Sequence, residues 1–72
     1  MSFSQDQINV ADNLSNVINN TDSVSRIQVL MSERLTYFKN PLFTAYLIHY
    51  VSEKKQPLVL RFIEDNYNQL SN

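Results

Sequence analysis

Apolar residues recur along this 72-residue chain at spacings of three and four, the period of an amphipathic helix. Ile8, Ala11, Leu14 and Ile18, flanked by Val10 and Val17, form one stripe, with Asp12, Asn13, Ser15 and Asn16 opposite. They predict a first helix over about residues 5–19. Ser4, with Gln7 three residues later, fits a capping box at its start. Val24, Ile27, Leu30, Met31, Leu35 and Phe38 repeat the pattern and predict a second helix over 23–38, capped by Asp22 or Ser23. Between them lies Asn19-Asn20-Thr21-Asp22. Asparagine tolerates the left-handed conformation that ends many helices, so Asn19 or Asn20 is expected to do there what glycine usually does.

The third segment departs from the pattern. Pro41–Glu53 reads PLFTAYLIHYVSE, and its apolar residues point in nearly every direction around a helix axis. A helix apolar on all sides is either central in a core or shared with a partner. The stretch is also rich in strand-favouring residues, but no other segment reads as a strand to pair with it, so a helix over 41–53 is expected. Asn40 suits its cap and Pro41 its first position. A fourth helix over 57–70 follows from Pro57 and the stripe Leu58, Val59, Phe62, Ile63, Tyr67 and Leu70. The fold class expected is therefore all-α: one domain, residues 1–72, a compact bundle of four short helices with near-antiparallel neighbours.

Composition sharpens this. Glycine is absent, which removes phosphate-cradling loops, and cysteine is absent, which removes disulfides and thiolate metal sites. One histidine, His49, is too few for a His-rich metal site. No cofactor and no metal are expected. A chain this short buries only about 60% of the surface its unfolded state exposes, and small scaffolds usually need a staple or a partner subunit. By elimination the expected support is a second copy, a homodimer with the third helix at or near the interface. The longest apolar stretch is about half of the roughly 20 residues that span a bilayer, and the start of the chain lacks the pattern of a secretory leader. A cytoplasmic protein is expected.

Charge is uneven although the net charge is −1. Asp6, Asp12 and Asp22 stand in a first third without bases, whereas Arg26, Arg34, Lys39, Lys54, Lys55 and Arg61 are concentrated in the middle. One reading is ordinary solvated faces. Another is an acidic first helix pairing with a basic middle, with Asp22 and Arg26 also placed as an i,i+4 pair.

Candidate chemistry is sparse. His49 sits between tyrosines, with no nucleophile designated for it to activate. Glu64 and Asp65 are adjacent, and neighbouring helix residues diverge by about 100°, so they do not converge as a catalytic pair. The aromatic set is more informative, because tyrosine favours interfaces where its ring is covered and its hydroxyl reaches a partner. The expectation is a non-enzymatic protein–protein interaction module, a regulator, adaptor or inhibitor. It would act through Phe43, Tyr46, Leu47, His49 and Tyr50, on itself and on another protein. The alternative is a nucleic-acid-associated regulator whose Arg26, Arg34, Lys39, Lys54, Lys55 and Arg61 are assembled into a basic surface by dimerisation. Neither a membrane nor a small-molecule substrate is expected.

Overall fold

The structure is a computed structural model, and it describes residues 2–71. Five helices follow one another: α1 (Gln5–Asn20), α2 (Val24–Ser32), α3 (Pro41–Tyr50), α4 (Gln56–Asp65) and the short α5 (Tyr67–Leu70). Two 3₁₀ segments, Leu35–Lys39 and Glu53–Lys55, join them, and there is no strand among the described residues.

The first helix begins where the capping pattern places it. The Ser4 hydroxyl accepts the Gln7 N–H at 3.3 Å. The reciprocal half of the box is not made, because the Gln7 side chain is drawn away to accept from Asn40 Nδ2 at 2.8 Å. Ser23, not Asp22, caps α2, accepting from the Arg26 N–H at 3.2 Å. Asn40 caps α3, accepting the Leu42 N–H at 3.0 Å, with Pro41 next in line.

Five expectations need correction. The second helix is not continuous to residue 38: it stops at Ser32, and Arg34 leaves the α region at φ −115°, ψ 23°. The Arg34 guanidinium satisfies the freed Leu30 carbonyl at 3.0 Å, and the chain tightens into a 3₁₀ segment. Its greater rise per residue carries Tyr37 and Phe38 toward α1 and the core. The end of α1 is not left-handed: no described residue has a positive φ, and Thr21 continues the chain in extended geometry. Asn19 and Asn20 spend their amides on hydrogen bonds instead. The third helix ends at Tyr50 rather than Glu53, and the last breaks at Asn66, whose side chain bonds back to the Phe62 carbonyl at 2.8 Å. Asp22 and Arg26 form no ion pair; among the described residues the pairs are Arg34–Glu33 at 3.6 Å and Arg61–Asp65 at 3.7 Å.

The principal helix pair is α1 with α3. Its ends are tied N-terminus to N-terminus and C-terminus to C-terminus, so the two helices run side by side in the same direction. At one end, Asn40 Nδ2 donates to the Ser2 carbonyl at 3.0 Å as well as to Gln7. At the other, Asn19 donates to the Tyr50 carbonyl at 3.0 Å and accepts the Ser52 N–H at 2.7 Å. The chain reverses through α2 and the first 3₁₀ segment between them. Sequential neighbours thus alternate in direction, but the main packing contact is between non-sequential helices. Gln56 then hangs α4 from the end of α3, donating to the Ile48 and Val51 carbonyls at 3.3 and 3.2 Å.

One core results. Ala11, Leu14 and Ile18 of α1 meet Ile27 and Met31 of α2, Phe38, Phe43 and Leu47, Val51, and Val59 and Phe62 of α4. Phe38 is the aromatic hinge, edge-on to Phe43 with centroids 5.3 Å apart and tilted against Phe62 at 5.0 Å. Such pairs add about 0.5–1.5 kcal/mol beyond area burial. The radius of gyration, 11.2 Å, equals the roughly 11 Å expected of a compact 72-residue domain. The accessible surface of 4777 Å² is close to the ~4600 Å² of a folded monomer of this mass. The core is therefore closed by one chain.

Candidate functional site

The α3 helix organises everything that could serve as a site. Phe43 and Leu47, four residues apart, are fully buried. Tyr46 turns toward α1, and its ring lies tilted by 45° against that of Tyr50 with centroids 4.8 Å apart. The Tyr46 hydroxyl donates to Asp12 Oδ1 at 2.8 Å, and Tyr37, before the helix, donates likewise to Asp6 Oδ2 at 2.9 Å. Both tyrosines are held above their ordinary pKa, Tyr46 as far as about 12, first because the hydroxyl bonded to a carboxylate resists losing its proton and second because of partial burial. The acidic first helix is thus matched, but by tyrosine hydroxyls rather than by the basic middle of the chain.

The opposite side of α3 is uncovered. Pro41, Thr44, Ala45 and Ile48 form one wall of an open groove of about 450 Å³. Ile63, Tyr67 and Leu70, spaced along α4 and α5, form the other wall, and Phe38 lies at its base. Lys39 and Ser71 also line it. Tyr67 in the wall is 63% exposed, and Leu42, outside the groove, is 49% exposed.

The five residues expected at an interface are therefore divided. Phe43 and Leu47 are enclosed by this chain's own core. Tyr46 is half-buried and committed to Asp12. His49 and Tyr50 are exposed, ring edge against ring face at 4.9 Å. Among the described residues no carboxylate, that of Glu53 included, stands within ion-pair distance of His49. The groove residues Pro41, Ala45, Ile48 and Tyr67 were not singled out as site residues. The signal that could have found them is α3 itself: a helix apolar all round with one inner face must expose the other.

The six basic residues do not share one fate. Lys55 turns inward, and its ammonium donates to the carbonyls of Ile18, Asn19 and Thr21 at the end of α1. Arg34 serves the end of α2, and Arg61 lies beside Asp65. Arg26, Lys39 and Lys54 are exposed on three different segments. Helices α2 and α4 do pack together, and the cleft between them is mixed: Gln28, Ser32, Arg61, Asp65 and Asn66 line it with Leu58 and Phe62.

No described helix is long and apolar enough to cross a membrane. No group of three His, Asp or Glu side chains converges among the described residues. Comparison with protein-family models, with characterised proteins and with solved structures finds no match to this chain.

Proposed function

We propose that this chain is a small non-enzymatic protein–protein interaction module, a regulator, adaptor or inhibitor, whose docking face is the outer side of α3, and that the first occupant of this face is a second copy of the chain. The observation that carries the reading is the division of α3 into two apolar sides. Phe43 and Leu47 complete a core that one chain closes. Pro41, Ala45 and Tyr67 are exposed and line one groove with Ile48, which is half-buried against the core, and Leu42 is exposed one helical turn before Ala45. The exposed members Leu42, Ala45 and Tyr67 are not enclosed by the core, and exposed apolar patches on small domains mark contact surfaces.

Self-association then has a different cause from the one that chain length suggests. It covers a surplus face rather than rescuing an incomplete core. The polar side chains support a binding role over a chemical one, since Tyr37, Tyr46, Asn19, Asn40 and Lys55 are all engaged in holding helices together.

Sedimentation equilibrium over a dilution series tests this. The expected result is a reversible monomer–dimer equilibrium that Leu42→Glu and Tyr67→Glu weaken, while Val29→Glu, on the exposed side of α2, does not. A wild-type chain that remains monomeric to about 1 mM, the upper end of weak association, would remove the reading.

A further inference from the structure

We infer that Glu33 and Arg34 form an exchange hinge: α2 and the 3₁₀ segment Leu35–Lys39 fuse into one helix, and two copies of the chain trade their α1–α2 halves. This device does not depend on the outer face of α3. Its origin is a conflict between local sequence and fold. Val24, Ile27, Met31, Leu35 and Phe38 keep helical spacing straight through the break. Residues 32–39 contain no glycine and no proline, and Glu33, Arg34, Leu35 and Lys39 are good helix formers. Pro41 would end the longer helix only at Asn40. Arg34 nonetheless leaves the α region.

What breaks the helix is distant in sequence. The Tyr37 hydroxyl is anchored on Asp6 of α1 at 2.9 Å, and Phe38 packs on Phe43 of α3 and Phe62 of α4. Backbone bonding is poorer there as a result. The Arg34 N–H reaches back three residues to the Met31 carbonyl, and the Leu35 and Thr36 N–H groups meet no carbonyl among the described residues. In a continuous helix those two would bond to Met31 and Ser32. The break is thus maintained by α1, α3 and α4 lying together in one chain. Once partial unfolding lifts α1 away, residues 24–39 can close into one helix about 24 Å long.

A straight helix carries α1 and α2 away from their own α3 and α4, and only a chain of the same sequence restores their native partners. The bonds of Asn40 with Gln7, Tyr46 with Asp12, Asn19 with Tyr50 and Ser52, and Lys55 with the end of α1 then recur between copies. These paired polar groups specify the occupant. Exchange rebuilds the same core twice and adds helix at each hinge, so concentration decides between the two forms.

Refolding at two concentrations tests this. Wild type refolded from denaturant at about 1 mM is expected to yield a dimer that persists for hours after dilution to about 1 μM, whereas refolding at about 1 μM yields monomer. It persists because return to monomer requires the α1–α3 seam to open. Phe3 and Tyr46, with ring centroids 5.3 Å apart, report the exchange. In a dimer of isotope-labelled and unlabelled chains, their nuclear Overhauser contact is expected between copies. Thr36→Pro removes no backbone bond of the single-chain form but forbids the continuous helix, and should cut the dimer yield by about tenfold or more. Arg34→Ala returns the Leu30 carbonyl to the backbone and favours helix, so it should raise the yield; it carries the test of the hinge if Thr36→Pro does not fold. No lasting dimer after concentrated refolding overturns the inference. A dimer whose Phe3–Tyr46 contact stays within each chain also overturns it, while leaving self-association through α3 standing. A wild-type dimer yield from natively folded Thr36→Pro, or no rise from Arg34→Ala, overturns the hinge.

Discussion

The Tyr46 hydroxyl reaches 2.8 Å across the α1–α3 seam to the Asp12 carboxylate. Unfolded, Tyr46 ionises near its ordinary value of 10.0, whereas in the fold it keeps its proton to about 12. A raised folded pKa contributes stability that is fully present below the unfolded value and is lost as pH rises through the folded one. Tyr37 on Asp6 shifts in the same direction. Urea midpoints should therefore hold up to about pH 10 and fall between about 10 and 12. Tyr46→Phe should lower the midpoint at neutral pH and flatten the alkaline decline. An unchanged alkaline limb in Tyr46→Phe would remove this account.

Asn40 is buried and fully engaged, donating to Ser2 and Gln7 and accepting from Leu42. Asn40→Ala removes a cap and leaves polar groups unpaired, for a loss of about 1–3 kcal/mol. Asn40→Asp keeps the cap but loses both donors, and should fall between wild type and alanine. Chemical denaturation of the three chains checks the order.

Lys55 and Lys54 make a matched pair of variants. The Lys55 ammonium closes the carbonyl end of α1, where a cation is favoured by both hydrogen bonding and the helix dipole. Lys55→Met should cost about 1–2 kcal/mol. Lys54→Met, at an exposed neighbour, should change stability by less than about 0.5 kcal/mol. Equal effects would show that Lys55 is merely another surface base.

Leu47 and Tyr50 lie on one helix with opposite expectations. Leu47→Ala opens a cavity in a closed core and should cost about 2–5 kcal/mol. That is a large share of the roughly 4–11 kcal/mol that a 72-residue domain possesses. Tyr50→Ala, half exposed, should cost far less. Thermal melts of the two variants would separate core from surface along α3.

Much of the architecture was legible in the residues. The stripes located α1, α2 and α4 and the run apolar on all sides located α3, while Ser4, the pair Asp22 and Ser23, and Asn40 marked three helix starts that local chemistry determines. What could not be read depended on distant partners. The Gln7 side chain answers to Asn40, not to its own cap, and Lys55 answers to a carbonyl end more than thirty residues earlier. Asn19 and Asn20 suited a left-handed cap by type, yet packing against Tyr50 and Ser52 gave Asn19 better bonds. Uniform apolarity in α3 identified the helix that matters but not its outward side, because only the placement of α1 decides which of its faces is covered.

That no described residue needs a positive φ has a consequence for the chain before it folds. An average sequence of this length would carry about five glycines, each widening the conformations open to the unfolded chain. Replacing a glycine where the native backbone permits it stabilises by about 0.4–1 kcal/mol, chiefly by narrowing the unfolded ensemble. With every turn built from ordinary backbone, this chain has less disorder to give up on folding. A part of its stability thus lies in what the unfolded state lacks, and no contact in the folded one records it.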